Sequence, residues 1–365
     1  MKKIVITGGH LTPALALIEE LEKNKEVKLV FFGRKFSTEG SKNLSAEYKL
    51  ISALNVNFRA ITAGRLQRKF TKYTIFALLK IPVGFIQSFI YLALDRPNII
   101  ISFGGYLSLP VVFSGWLLGI KSITHEQSTA PGLANKLNSL FTIKVFLTWP
   151  ESQKFFSKEK SQIIGNLTRN SIFIKRAKSP KIRNYLTTNK KIIFVTGGNQ
   201  GSHFLNKLIF ESLGELSSYQ IIHQVGTANY NSDQDKAKKI KTPNYLVIEY
   251  LNQDDIGAVL NRVDLVISRS GANTIWDLAI LAKVSILIPL PISASDEQAK
   301  NALSLEKAGS AIVLKQSEVN KNLLLITVDK VFTNLFSFKT HAINLQKTLP
   351  LDSAKKLTDY ILSYT

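Results

Sequence analysis

The chain has 365 residues, more than one ordinary core usually serves, so two domains are expected, each large enough to fold without covalent staples. It contains no cysteine, which excludes disulfides, thiolate metal sites and a cysteine nucleophile. The 47 Lys and Arg against 26 Asp and Glu give a formal charge of +21, which favours an anionic membrane surface, phosphate-bearing substrates or nucleic acid. No zinc-finger spacing, paired RNP aromatics or basic zipper accompanies that charge, so nucleic acid is not an expected partner.

In chain order, Lys2 and Lys3 followed by Ile4-Val5-Ile6 could open a signal peptide, but Gly8-Gly9-His10 and Pro13 interrupt the run, which reads as a first strand. Leu29-Val30-Phe31-Phe32 is a second strand. Arg65, Arg68, Lys69, Lys72 and Lys80 lie beside Ile75-Phe76-Ala77-Leu78-Leu79 and the apolar residues 85–94, a pattern suited to a membrane interface; the competing reading is a helix whose apolar face is core. Residues 97–120 are uncharged and long enough to suggest a transmembrane helix. The β-branched run Ile99-Ile100-Ile101, the glycine turn Phe103-Gly104-Gly105-Tyr106 and Pro110 instead predict strand, turn and helix.

Ser122-Ile123-Thr124 is a short strand ending at His125-Glu126-Gln127. Residues 149–190 are polar, lysine-rich and weakly periodic, and place a linker near Gly165. Beyond it, Ile192-Ile193-Phe194-Val195 and Leu265-Val266-Ile267 repeat the strand, glycine loop and helix of the first half. Alternating strands and helices predict an α/β chain of two Rossmann-like domains, with the active site in the cleft that they face. The expected divisions are 1–165, 166–340 and an amphipathic helical tail, 341–365, that could pack back on the N-terminal domain.

Glycine turns after predicted strands let backbone N–H groups approach phosphate oxygens, assisted by the positive end of the next helix. Three occur: Thr7-Gly8-Gly9-His10, Phe103-Gly104-Gly105-Tyr106 and Thr196-Gly197-Gly198-Asn199-Gln200-Gly201-Ser202. Arg269-Ser270-Gly271-Ala272-Asn273-Thr274 repeats that geometry, with Asp277 placed either for ribose hydroxyls or as a helix-dipole partner. Asp233-Gln234-Asp235 matches the Asp-x-Asp of metal-dependent glycosyltransferases, but its polar surroundings, residues 229–241, read as a solvated loop, so no catalytic metal is expected.

Phe103-Gly104-Gly105-Tyr106-Leu107-Ser108-Leu109-Pro110, His125-Glu126-Gln127, Pro131-Gly132-Leu133-Ala134-Asn135-Lys136, Gly197-Gly198-Asn199-Gln200-Gly201, Arg269-Ser270-Gly271-Ala272 and Asp296-Glu297-Gln298-Ala299-Lys300-Asn301-Ala302 occur in this order. The set resembles the MurG family over nearly the whole chain. The resemblance implies a GT-B fold and inverting, metal-independent transfer of GlcNAc from UDP-GlcNAc to a lipid I-type undecaprenyl-pyrophosphate acceptor, with no cofactor. It further implies a peripheral place on the anionic cytoplasmic face of the cell membrane and a cell-wall synthesis complex as a partner. Carried over by position, the donor would be held by Arg169, Asn199, Gln200, Gly201 and Thr274, its phosphate by Ser270, Gly271 and Ala272 and its ribose by Asp277. Tyr250 and Leu251 would take the uracil, and Gln298 and Asn301 the sugar hydroxyls. Thr7, Gly8, Gly9, Gly104, Gly105 and Tyr106 would face the acceptor, with His10 or Glu126 as the base.

Several positions depart from the family's pattern. Val5 and Ile6 replace two glycines of the first loop, and Asp277 replaces a glutamate. Ser128, Leu167 and Asn199 stand for Asn, Pro and Ser. They mark a divergent member and leave three alternatives: transfer to another lipid, a UDP-GlcNAc 2-epimerase, or an inactive nucleotide-binding homologue.

Overall fold

The computed structural model describes the chain except residues 37–42, 55, 63, 65–71, 293–295 and 365, together with the side chains of 46 and 72–79. The chain forms two compact units, one of Met1–Arg169 with Pro350–Thr365, the other of Asn170–Leu349.

In the first unit β1 (Lys2–Thr7), β2 (Val27–Gly33), β3 (Asn57–Ala60), β4 (Ile99–Ser102), β5 (Lys121–Glu126), β6 (Lys144–Leu147) and β7 (Ser161–Ile163) form a parallel sheet in the order β3-β2-β1-β4-β5-β6-β7. The connecting helices are α1 (Leu11–Leu21), α2 (Ala46–Ile51), α3 (Lys72–Asp95), α4 (Ser108–Leu117) and α5 (Leu133–Phe141). Strand side chains alternate between faces, and here both faces are covered. Ile4, Ile6, Phe31, Ile99 and Ile101 pack with α1, while Val5, Val30, Phe32 and Ile100 pack with Leu107 and Val111 on the other side. That double burial is why the strands read as continuous apolar runs.

The second unit opens with a 3₁₀ turn, Asn170–Phe173, followed by α6 (Pro180–Leu186), β8 (Ile192–Thr196), α7 (His203–Ser212), β9 (Gln220–Gln224), α8 (Asp233–Lys239), β10 (Tyr245–Ile248), α9 (Gln253–Arg262) and β11 (Leu265–Ser268). It is completed by α10 (Ala272–Ile280), β12 (Ser285–Leu287), α11 (Glu297–Lys307), β13 (Ala311–Val313), α12 (Lys321–Thr333) and α13 (Leu335–Lys347). Its parallel sheet runs β10-β9-β8-β11-β12-β13. Each sheet therefore reverses its winding once, between β1 and β4 and between β8 and β11.

After α13 the chain returns to the first unit as α14 (Ser353–Ser363). Leu357 and Ile361 enter the core beside α1, and the Ser353 hydroxyl donates to the Ile164 carbonyl. The division at Leu349 and Pro350 follows the proline, which ends the helical run.

Two expectations are corrected. Residues 149–190 hold more than a linker: they supply β7, the edge strand, whose Gln162 and Ile163 are exposed, and α6. A three-residue strand is too short to show a period. Asp233-Gln234-Asp235 is not a solvated loop but the start of α8, with Asp233 fully buried.

Asp264, just before β11, staples the lower edge of the second sheet. Its amide donates to the Ile192 carbonyl (2.9 Å), its Oδ2 accepts from the Ile192 amide (3.0 Å), and Lys339, Lys191 and Arg262 lie at 3.3, 3.5 and 3.7 Å. Burial alone would raise its carboxyl, but the Ile192 amide and the lysines outweigh burial and hold it below the usual carboxylate range. A depressed carboxyl stabilises the fold above its unfolded value near pH 4, and that contribution is lost as pH falls through the lower folded value. Asp264→Asn should therefore cost about 1–3 kcal/mol at neutral pH, with the gap from wild type closing on acidification below about pH 4. Urea unfolding of both proteins at neutral and acid pH measures this; a gap independent of pH would contradict it.

Candidate active site

The glycine loops lie at the carboxyl ends of the strands flanking each reversal, where the two crossovers part and leave room for a ligand, and the other candidates lie at or beyond the carboxyl ends of these and other strands of each sheet. In the first unit, Thr7, Gly8 and Gly9 follow β1, and Gly104, Gly105 and Tyr106 follow its neighbour β4. Gly9 has φ +146°, and a Cβ there would come within 2.0 Å of the Gly104 carbonyl oxygen; Gly105 has φ +76°, and a Cβ there would lie 2.9 Å from the Gly9 Cα. The two loops touch through backbone alone. Thr7 is fully buried, and His10 is the half-buried N-cap of α1.

Behind the first loop stands Glu47, which the sequence reading missed. It is 8% exposed, accepts from the Arg34 amide (3.1 Å) and occupies the space a Cβ on Gly8 would need. Burial raises its carboxyl, and the amides of Arg34 and Gly9 only partly offset this.

His125 and Glu126 close β5. His125 is fully buried: Nε2 donates to the Gly165 carbonyl (2.9 Å) and Nδ1 accepts from Gln127 (3.2 Å). Burial lowers it to about 4, so the ring is neutral. Glu126 is 2% exposed, and its oxygens accept from the Ser128 amide and from Asn135, each at 2.8 Å. Asn135 also accepts from Thr124, and Asn138 donates to Ser102 and Ser108. This buried amide network supports both the Gly104 loop and Glu126. Asn135 stood inside a recognised motif, but Asn138 carried no signal of its own.

In the second unit a cavity of about 520 Å³ lies over the amino ends of α7 and α10. Gly197, Gly198, Gly201, Gly271, Thr274 and Gln298 line it, together with Ser202, His203, Phe204, Tyr230, Arg269, Leu290 and Gln316. The glycine loop is pinned from outside: the Asn199 carbonyl accepts from Thr227 (2.9 Å), the Gln200 carbonyl from Ala228 (3.2 Å), and Gly201 abuts the Val225 carbonyl. Gln224, at the end of β9, donates to Thr196 and the Gly198 carbonyl and accepts from the Leu251 amide, joining three loops.

Several other expected donor residues are not on the cavity wall. Ser270 is fully buried and donates to the Gln298 carbonyl (2.8 Å), and Ala272 is the first residue of α10. Asn301 is fully buried with its amide on the Ser270 carbonyl, while Gln298, which is on the wall, accepts from the Leu290 amide. Asp277 is half-buried, one turn beyond Thr274. Tyr250 is 41% exposed, Leu251 is buried, and Arg169 closes the first unit.

Arg269, quoted in its motif but given no role, is the cation beneath the cavity. Its guanidinium donates to the Ile288 and Pro289 carbonyls, Ser202 and Gln316, and burial lowers it to about 10. Asp233 points inward and Asp235 accepts from Asn229 at the surface, so the two do not converge on one ion. Among the described residues no cluster of His, Asp or Glu is arranged to hold a metal.

Comparison with known proteins agrees with this division. Residues 6–147 match the glycosyltransferase family 28 N-terminal domain and residues 192–357 its C-terminal domain. A Clostridium kluyveri protein described as UDP-N-acetylglucosamine--N-acetylmuramyl-(pentapeptide) pyrophosphoryl-undecaprenol N-acetylglucosamine transferase is 32% identical over 370 residues, covering 100% of both chains. A Clostridium tetani protein of the same description is 32% identical, covering 91% of this chain and 90% of that one. The fold is similar to the crystal structure of Acinetobacter baumannii MurG (TM-score 0.73, 21% identity, 100% of both chains). It is also similar to a Staphylococcus aureus MnaA–UDP co-structure (TM-score 0.72, 13% identity, 100% of this chain and 97% of that one). With both family 28 domains in place and full-length identity to those transferases, the chain belongs to glycosyltransferase family 28, in the MurG family of N-acetylglucosamine transferases.

Proposed function

We propose that this enzyme transfers GlcNAc from UDP-GlcNAc to a lipid-linked MurNAc-peptide acceptor of the lipid I type, in peptidoglycan synthesis. The observation that carries the reading is the glycine-lined cavity over two helix amino ends, in a chain related over its full length to transferases named for this reaction. The α7 and α10 amino ends suit the donor diphosphate, and Thr274, Asp277 and Gln298 suit the nucleoside and sugar. Glycine loops of the first unit would take the acceptor pyrophosphate.

The reaction is inverting: an acceptor hydroxyl oxygen bonds to the sugar's C1 as the bond from C1 to the UDP oxygen breaks, its electron pair leaving on the diphosphate. The hydroxyl proton passes to a base. His10 is assigned that role, because both Glu126 oxygens already accept within the buried network and Glu126 serves better to position the loops. Helix dipoles and Arg269 oppose the charge that grows on UDP, so the transfer needs no metal. His10→Ala should lower kcat about 10²- to 10⁴-fold with UDP affinity unchanged. Assays with UDP-GlcNAc and lipid I, run with chelator and with product identification, test the whole reading. Free sugar as the only product would indicate an epimerase, and activity abolished by EDTA and restored by magnesium would overturn the metal-free mechanism.

Asp277 shares a face of α10 with Thr274, one turn on, and is assigned to the ribose hydroxyls. Asp277→Ala should weaken UDP about 10- to 150-fold while Asp277→Glu is tolerated. Calorimetric titration decides it, since equal UDP affinity in wild type and Asp277→Ala would remove Asp277 from the site.

The first unit carries an apolar face that suits a peripheral position on the cytoplasmic membrane surface. On α3, Val83, Ile86, Ile90 and Leu94 recur at helical spacing and are 41–70% exposed; Trp116 and Leu117 on α4 and Leu133 and Leu140 on α5 are more than half exposed. Helices α3, α4 and α5 pack in sequence, and the Trp116 ring packs against Phe141 at a 56° tilt. No helix among the described residues is long and apolar enough to cross a membrane. Of the basic group beside this face, Lys80 is half-buried; Arg65, Arg68 and Lys69 lie outside the described residues, as do the side chains of Lys72 and 75–79. Binding to anionic vesicles should be strong in low salt and fall in high salt, because salt screens the attraction between basic side chains and an anionic surface. Salt-insensitive binding in a flotation assay would indicate deep insertion instead.

A further inference from the structure

His203 opens α7 directly after the glycine loop, and its ring borders the donor cavity on one side and a second cavity of about 520 Å³ on the other. Its Nδ1 lies 2.9 and 3.0 Å from the two oxygens of Asp233, whose side chain is 1% exposed. A carboxylate only accepts, so Nδ1 carries a proton and donates.

Asp233 is fixed from behind. Asn206 donates from Nδ2 to its Oδ2 (2.8 Å), which leaves Asn206 Oδ1 to accept from His223 Nε2 (3.0 Å), and His223 Nδ1 then accepts from the Tyr245 hydroxyl (2.9 Å). Burial lowers His223 to about 3, so this inner ring is neutral. One hydrogen-bonded chain thus runs from Tyr245 in the core to His203 at the cavity wall. A buried polar chain is costly unless every member is paired, and this one is spent on orienting a single half-exposed imidazole.

With Nδ1 committed to Asp233, the ring's other polar atom is Nε2. It accepts when the ring is neutral and donates when the ring is cationic, and a diphosphate, which only accepts, selects the cation. The remaining charged groups around the ring leave a positive excess: Arg269 borders the first cavity and Lys236 the second, where Lys207 and Glu211 pair with each other at 3.8 Å.

We propose that His203, oriented by Asp233, is a cationic contact for the diphosphate of the nucleotide donor, with Asp233 as its positioning residue. The proposal rests on the donor reading of this cavity and adds a residue that reading did not assign. UDP carries the diphosphate and uridine does not, so comparing the two isolates the contact. His203→Ala should weaken UDP about 10- to 100-fold and leave uridine unchanged, while His203→Lys, which restores a cation, recovers most of the loss. Asp233→Asn should weaken UDP as well, yet add nothing in the His203→Ala background, whereas a merely structural Asp233 would add its effect in both. Calorimetric titration of both ligands against the four variants and wild type reads all of this. Equal UDP affinity in wild type and His203→Ala, or an equal loss for uridine and UDP, would overturn the role of His203 alone. Wild-type protein that binds neither ligand would overturn the donor reading and this proposal with it.

Discussion

The arrangement depends on a steric constraint at the carboxyl edges of the two sheets: backbone must meet backbone where two loops leave adjacent parallel strands. Gly9 lies against the Gly104 carbonyl in the first unit, and Gly201 against the Val225 carbonyl in the second; a methyl group at either would sit about 2.0 Å from an oxygen. Because nothing but hydrogen occupies that space, the backbones of separate loops meet with no side chain between them. Everything else at these edges, including the Asn135 network and the Gln224 clamp, holds those loops in place.

Much of this was legible in the sequence. Doubly buried strands are runs of Ile, Val and Phe, and glycine turns after them mark the edges where ligands gather, so β1, β2, β4, β5, β8 and β11 and the glycine loops could be read directly, whereas β3, β6, β7, β9, β10, β12 and β13 were not. Residues whose partners are far along the chain could not. Glu47 acts on Gly8 and Gly9, and Gln224 joins Thr196, Gly198 and Leu251, without any local pattern to announce it. Asp233 was actively misleading, since a stretch of Asn, Asp, Gln and Lys normally faces water. Here one carboxylate of that run turns inward because His203 and Asn206 both need an acceptor. Asn301 shows the reverse case: its motif was visible, but full burial places it behind Ser270.

The excess of positive charge is handled differently at the two ends of the second sheet. At the lower edge Lys191, Arg262 and Lys339 surround Asp264, a pairing that serves stability. At the upper edge the acceptors of Arg269 are two carbonyls, a hydroxyl and an amide, all neutral. Dipoles solvate that guanidinium without cancelling its charge, so its field extends into the cavity and favours an anion there.

On the proposed reading, the geometry of the first unit also sets how the acceptor must be presented. The Gly104-Gly105 loop lies at the amino end of α4, and Trp116 and Leu117 lie at its carboxyl end, about 15 Å away along a ten-residue helix. Leu133, at the amino end of α5 and 64% exposed, carries the apolar face back toward the loop edge. A pyrophosphate held at the loops would therefore have its lipid leaving along a surface that is already apolar. A soluble acceptor would have no use for that surface, so the apolar helices favour a lipid-linked substrate more strongly than the glycine loops do, since loops of this kind suit any phosphate.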